Sequence, residues 1–300
     1  MQICSFLPSA TEILYALDLS DSIAGVTFEC DYPPEARHKP IVVNTILGHD
    51  LSAAEIDRDV TQHASHGDSL YTVDTETLRR IKPELIVTQE LCDVCAVSTS
   101  HLAKALHVLS PQPEVLSLTP HTLKDVFSDI EAVGAATGKQ ARAAELLAHL
   151  KLRIARVQAK RGLKPSPKVA CLEWLNPLFN AGHWVPEMVD LAGGVDRLGI
   201  PGEYSVRIEW QKVFDLNPDV IVIMPCGYDV DKAVREYRQT IFPPEWQEVQ
   251  AVRQGRVYAV HASAYFSRPG PRLVDGVEIL YSLLHQDFSL ALPVKSWAQV

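Results

Sequence analysis

Apolar positions fall along the first part of the chain in short runs separated by amphipathic stretches. Residues 2–6 form an apolar run of strand length, and 23–26, 41–43, 85–88 and 115–118 repeat it. Ser9-Ala10-Thr11-Glu12 has the capping-box form, in which Ser9 accepts the third-residue N–H and Glu12 reaches back. Ile13, Leu14 and Leu17 follow with an apolar face at helical spacing. Residues 75–81 and 98–107 read as further helices. Strands alternating with helices predict a parallel sheet covered on both faces.

From residue 122 the pattern changes. Residues 122–136 read as a helix, with Thr137-Gly138 as its stop. Residues 139–161 contain no glycine or proline, and Leu147, Leu150, Ile154 and Val157 share one helical face. Such a helix is roughly 35 Å long; Gly162, Pro165 and Pro167 end it. Alternation then restarts. Strands are expected at 169–172, 220–224 and 257–260, and helices at 185–192, 208–216, 230–237 and 272–284. The expected fold is α/β: two Rossmann-like lobes joined by a single long α-helix, with boundaries at 1–138, 139–162 and 163–300. Ligands of open α/β sheets bind beyond the strand carboxyl ends, so a largely preformed ligand cleft is expected between the lobes.

Composition narrows the function classes. The 300 residues include 28 basic and 37 acidic side chains, a net of 28 − 37 = −9. The excess acid is spread out and argues against a nucleic-acid surface. No apolar run approaches the roughly 20 residues that span a bilayer. The first residues carry no basic region, long apolar stretch or cleavage site. A native N-terminus therefore predicts a cytoplasmic protein, and a removed leader a periplasmic one. The six cysteines are Cys4, Cys30, Cys92, Cys95, Cys171 and Cys226, and a core of this size does not need disulfides. A monomer is expected.

Candidate chemistry sits in loops after strands. Pro8 and Ser9 open a helix N-terminus, a place for capping or for polar ligand contacts. Tyr32, between Asp31 and Pro33-Pro34, suits either stacking on a flat ligand or a rigid surface turn. Cys92 and Cys95 form a Cys-x-x-Cys pair, which serves packing, ligand contact, redox or half of a metal site; no second such pair completes a zinc site. His49, His63 and His66 lie in a polar stretch, where histidines are solvated or bind metal. Nucleophile-elbow, phosphate-loop and dinucleotide motifs are all missing from the sequence. Trp174, Phe179, Trp184, Tyr204 and the Tyr265-Phe266 pair before Arg268-Pro269 either line a wide apolar pocket or plug a core.

An ordered set of motifs adds a resemblance. The motifs are Leu7-Pro8-Ser9-Ala10-Thr11-Glu12, Cys30-Asp31-Tyr32-Pro33-Pro34, Ile81-Lys82-Pro83-Glu84-Leu85-Ile86-Val87, Leu175-Asn176-Pro177-Leu178-Phe179-Asn180-Ala181-Gly182, Leu191-Ala192-Gly193-Gly194, Asn217-Pro218-Asp219-Val220-Ile221-Val222 and Ala251-Val252-Arg253-Gln254-Gly255-Arg256-Val257-Tyr258. Together they resemble the helical-backbone substrate-binding proteins that serve ABC importers of cobalamin, haem and iron-siderophores, and most of all the cobalamin binders, in a leaderless form. The resemblance implies no catalysis and no catalytic cofactor. It implies a corrinoid ligand pinned between two lobes by aromatic rings, with Tyr32, Tyr71, Tyr204, Tyr265 and Phe266 at the ligand; Arg268 is a further ligand candidate. It also implies docking on a permease through one acidic residue per lobe. Glu76 matches the first, while Gln211 stands at the second with Glu209 nearby. The 48–69 stretch and the Leu91–Cys95 region depart from the periplasmic pattern.

Three readings follow. The first is a corrinoid-binding protein stacking its ligand on Tyr32, Trp174, Tyr265 and Phe266, with polar contacts from Pro8, Ser9 and the following turn. In it Cys92, Cys95 or His49 approaches the metal's axial face. The second is a haem or iron-chelate binder using Arg207 and Arg268. The third is a metal- or thiol-dependent enzyme using Cys92 and Cys95.

Overall fold

Leu85-Ile86-Val87-Thr88-Gln89 is buried along its whole length, as a parallel strand covered on both faces must be. It belongs to the first of two units in the computed structural model, which describes residues 1–47, 55, 58–60, 62, 63, 70–89, 106 and 109–300. Unit one comprises Met1–Pro120 and Lys124–Leu147; unit two comprises His121–Leu123 and Ala148–Val300. The architecture is mixed α/β with one sheet per unit.

The first sheet has the order β4-β3-β2-β1-β5-β6. Its strands are β1 (Ile3–Ser5), β2 (Ile23–Thr27), β3 (Ile41–Thr45), β4 (Tyr71–Val73), β5 (Leu85–Gln89) and β6 (Glu114–Leu118). All neighbours are parallel except β3 and β4. The antiparallel edge corrects the expectation of a wholly parallel sheet. β4 has only three residues, too few for an alternation signal to stand out.

Helix α1 (Pro8–Ala16) corrects the capping-box reading. Leu7 is the N-cap and no side chain caps it. A proline at the first helical position lacks an N–H and has φ preset for the helix, so the helix starts before Ser9, and Ser9 is buried inside it. Helix α2 (Thr75–Ile81) is capped by Asp74, whose carboxylate accepts from Thr77 N–H at 2.9 Å.

Helix α3 (Leu123–Ala136) stops at the expected glycine. Gly138 has φ +68°, and Lys139 N–H donates to Gly134 O at 2.7 Å, the six-to-one bond of a left-handed C-cap. Helix α4 (Gln140–Arg161) has 22 residues. Leu147, Leu150, Ile154 and Val157 are all buried, as their spacing predicts. The division between the units falls inside α4, after Leu147.

The second sheet has the order β12-β11-β10-β7-β8, with β9 also paired to β7. Here β7 is Lys168–Leu175, β8 Leu178–Asn180, β9 Val195–Asp196, β10 Val220–Ile223, β11 Val257–Val260 and β12 Trp297–Gln299. β8 and β12 run antiparallel to their neighbours. Helices α5 (Val185–Leu191), α6 (Trp210–Leu216), α7 (Val230–Gln239), α8 (Gln250–Arg253), α9 (Ala262–Tyr265) and α10 (Leu273–His285) complete the unit. Trp246 is buried with Ala170, Leu172, Ile221, Ile223 and Val257. The Phe242 ring stacks on it with centroids 4.4 Å apart.

Arg153 ties the second half of α4 to α10. Its guanidinium forks onto Glu278 at 3.0 and 2.6 Å and also reaches Asp275. All three side chains are largely buried. Removing one partner leaves carboxylates desolvated without a cation. Arg153→Ala is therefore expected to lower unfolding free energy by about 3 kcal/mol. The neutral set Arg153→Met, Asp275→Asn, Glu278→Gln should recover most of that loss in urea melts.

Candidate functional site

In each sheet the strand order turns back at one strand, and loops at the carboxyl ends beside it are where ligands bind in open α/β folds. In unit one that strand is β1, flanked by β2 and β5; in unit two it is β7, flanked by β10 and by β8.

Beyond β1 and β2 a chain of hydroxyls fixes the loop backbone. The Ser5 hydroxyl donates to Leu7 O at 2.9 Å, and the Thr11 hydroxyl donates to Ser5 Oγ at 2.8 Å. Thr11 has one proton to give, so the contact of 3.0 Å to Cys30 Sγ is donated by the thiol. Thr27 Oγ1 lies 3.3 Å from the same sulfur and accepts Glu29 N–H at 3.2 Å. The 28–32 loop is thereby fastened to α1. Tyr32 at its end is 46% exposed. Pro8 is half-buried, while Ser9 is interior and presents no side chain. Tyr71 is half-buried against the first unit's core.

In unit two, Trp174 lies near the carboxyl end of β7, half-buried. Its ring meets Tyr228 edge-on with centroids 5.6 Å apart. Tyr228 follows β10 and is buried. Burial and the neighbouring Glu236 carboxylate push its phenol well above the usual range, and the Lys232 ammonium lies 4.0 Å from its ring centre. After β11, His261 Nδ1 accepts Ala264 N–H at 3.2 Å, which makes Nε2 the protonated nitrogen of the neutral ring. Tyr265 lies edge-on to His261 at 5.7 Å, and the Arg272 guanidinium sits 5.6 Å from the Tyr265 centroid. Phe266, the other half of the expected aromatic pair, is buried. Its carbonyl accepts the Trp184 indole N–H at 2.7 Å. Arg268 is half-buried.

The loop carrying Tyr204 is organised by Asn180, which is buried. Its side-chain amide donates to Leu198 O at 2.9 Å, and its oxygen accepts Val206 N–H at 2.9 Å. Gly182 lets the two backbones meet: a Cβ there would stand 2.3 Å from Ser205 N. His183 has φ +52°; its N–H donates to Glu203 O at 2.6 Å and its carbonyl accepts from Gly202 N–H at 2.9 Å. Tyr204 is half exposed. Its ring lies edge-on to His183 at 5.0 Å and to His121 at 5.6 Å. Glu173, in β7, bonds Ser205. Burial raises its carboxyl to about 7, the Ser205 hydroxyl opposing by less.

Tyr204 therefore stands in a built loop of unit two, with Trp174 near the end of β7 and Tyr265 at the end of α9, and Tyr32 and Tyr71 belong to unit one. Cys92, Cys95, His49 and His66 lie outside the described residues. Among the described residues, no group of three or more His, Cys, Asp or Glu is placed to hold a metal. The sequence reading passed over His121, His183, Glu173 and Tyr228. A histidine three residues beyond a predicted strand, and another just before a helix, were the signals for the first two. Glu76 is exposed in the first turn of α2, and Glu209 is exposed before α6. The Gln211 side-chain amide donates to Asp215 Oδ1 at 2.7 Å. No helix among the described residues is long and apolar enough to cross a membrane.

Residues 3–264 match the family model described as periplasmic binding protein. The chain is 27% identical to an uncharacterized ABC transporter substrate-binding lipoprotein, YvrC, of Bacillus subtilis, over 95% of this chain and 80% of that one. It is 24% identical to the vitamin B12-binding protein of Vibrio cholerae, over 92% of this chain and 86% of the relative. The crystal structure of a periplasmic heme-binding protein from Pseudomonas aeruginosa superposes with a TM-score of 0.73 at 18% identity, covering 98% of this chain and 96% of that one.

A raised carboxyl makes its stabilising contribution below its unfolded value near 4.5 and loses it as pH rises through about 7. Glu173→Gln removes the ionisation while keeping the Ser205 partner. Between pH 5 and 8 the variant is expected to lose roughly 2 kcal/mol less stability than the parent, read from denaturant melts at each pH.

Proposed function

The chain belongs to the periplasmic binding protein family, and from that premise we propose that it is a non-catalytic receptor for a corrinoid. The observation that carries the reading is the set of aromatic rings presented by fastened loops and by the ends of β7 and α9. Tyr32 and Tyr204 are each about half exposed, and Trp174 and Tyr265 are half-buried with their rings held by neighbours. A corrin is broad and flat, and ring faces give it contact area at little entropic cost because each aromatic side chain has two torsions. The B12-binding relative supports the same ligand class. Glu76 is the residue we assign to docking on an importer permease, where an exposed carboxylate pairs with a basic partner.

A second reading has its own support. Arg272 over Tyr265 and the adjacent Arg268 suit a ligand with carboxylates, as in haem or a charged iron chelate.

Separate titrations with cobalamin and haem, followed by visible absorbance and calorimetry, distinguish them. The first reading expects one cobalamin per chain at micromolar affinity or better. Tyr32→Ala and Tyr204→Ala should each weaken it about fivefold, near 1 kcal/mol. Haem binding without a cobalamin response would transfer the proposal to the second reading, and silence toward both would end it.

A further inference from the structure

We propose that Glu173 is the positioning residue of the Tyr204 loop: through Ser205 it holds the loop for ligand while protonated, and releases it when the proton is lost. The assignment rests on the receptor reading for its ligand and deepens it by naming how the site is regulated. The loop movement itself is tested without ligand.

Glu173 is the extra residue of a bulge. Leu172 pairs with Asn180 and Trp174 with Phe179, so β7 takes two steps where β8 takes one. A bulge re-aims the side chain it carries. Leu172 packs with Trp246 in the core, Trp174 packs in a separate cluster with Tyr228, and Glu173 is turned onto Ser205. Ser205 is half-buried between Glu203, Tyr204, Val206 and Arg207, all of them exposed. Other groups fix the backbone on either side. Val206 N–H bonds Asn180 Oδ1 at 2.9 Å, and Arg207 bridges to Phe179. Where the loop begins, Asp196 Oδ1 accepts Leu198 and Gly199 N–H at 2.8 and 3.1 Å. Between these anchors the Ser205 hydroxyl tethers the backbone next to the Tyr204 ring.

Loss of the proton reverses the balance. The Ser205 hydroxyl supplies one hydrogen bond, whereas a desolvated carboxylate needs several donors or a cation. The titratable groups on the surrounding elements are Cys171 on β7, Asp196 on β9, and His183, Glu203 and Arg207 in the loops. Tyr228, Lys232 and Glu236 lie on the Trp174 side. Among the described residues, the influences on the Glu173 carboxyl are burial and Ser205, which leave it at about 7. Burial pushes Cys171 and Asp196 above their usual ranges and His183 below its own. The ionised carboxyl reaches water most readily where the chain is already exposed, at 203–207. A ligand lying on Tyr204 covers that route. Binding therefore favours the protonated acid and, reciprocally, takes up a proton.

The test uses the full chain in two measurements. Without ligand, hydrogen exchange of the Val206 amide, corrected for its intrinsic rate, should lose about fivefold protection between pH 6 and 8.5. That loss should be insensitive to low urea, as a local opening requires. Glu173→Gln keeps a partner for Ser205 and has no proton to lose, so its protection should change less than about twofold. Cyanocobalamin, whose charge is constant over this range, should bind the parent about fivefold more weakly at pH 8.5 than at pH 6. Calorimetry at pH 7.5 in buffers of different ionisation enthalpy should show proton uptake. Glu173→Gln should abolish both effects, and Glu173→Ala should weaken binding at every pH; if the alanine variant fails to fold, the glutamine variant decides. Asp196→Asn should leave the pH step in place. Exchange in the parent that is flat with pH, or a step that survives Glu173→Gln or vanishes in Asp196→Asn, overturns the proposal. A step in exchange with no cobalamin response upholds Glu173 as the tether of the loop and removes only the corrinoid reading.

Discussion

A parallel strand buried on both faces has no side chain to spare for chemistry, and this constraint shapes both units. Val220–Ile223 and Leu85–Gln89 are buried at every position, so crossover helices must cover each face. Polar and aromatic groups that can meet a partner are displaced to the loops at strand ends. The hydroxyl chain at β1 and β2, the aromatic pair at β7 and β10 and the histidine cap after β11 all stand there.

Those loops are fastened more by local polar bonding than by apolar packing. Ser5, Thr11, Thr27 and Cys30 give a closed sequence of donors and acceptors, which leaves the thiol engaged as a donor. Burial drives the other interior thiols away from reactivity: Cys4 is pushed up to about 12, and Cys171 also lies well above its usual range. Asn180 performs the equivalent task in unit two by bonding two separate backbone stretches. Because the loop backbones are set by the fold itself, Tyr32 and Tyr204 stay exposed without being loose. Under the proposed corrinoid reading, little ordering cost on binding would then fall on these two rings.

The electrostatics of unit two have the same origin. Glu173 is held against Ser205 where water is scarce, so its carboxyl titrates near neutrality. His183 is pressed toward its neutral form by burial and by His121. The buried Glu173 carboxyl, and the His183 imidazole held toward its neutral form, give this part of unit two a charge that changes near neutral pH.

Much of the fold was legible in the amino-acid order. The Leu147, Leu150, Ile154 and Val157 stripe identified α4, Thr137-Gly138 marked the end of α3, and the apolar runs marked β5, β10 and β11. These signals are strong because helix periodicity and continuous burial extend over many residues. The edge strands β4, β8, β9 and β12 were missed because two or three residues carry no period. The capping box at Ser9 misled because Pro8 starts the helix first. At the site, Tyr32, Trp174 and Tyr265 could be picked out as aromatics after expected strands, and Tyr204 as one ahead of an expected helix. By itself, then, the sequence determined two α/β units and their strand-end aromatics, since burial patterns and loop chemistry are local properties. Only the tertiary structure decided that Phe266 is interior, that Glu173 meets Ser205, and that His121 stands beside His183. Such pairings depend on which loops the sheet order brings together, and side chains distant in sequence acquire their chemistry only from that proximity.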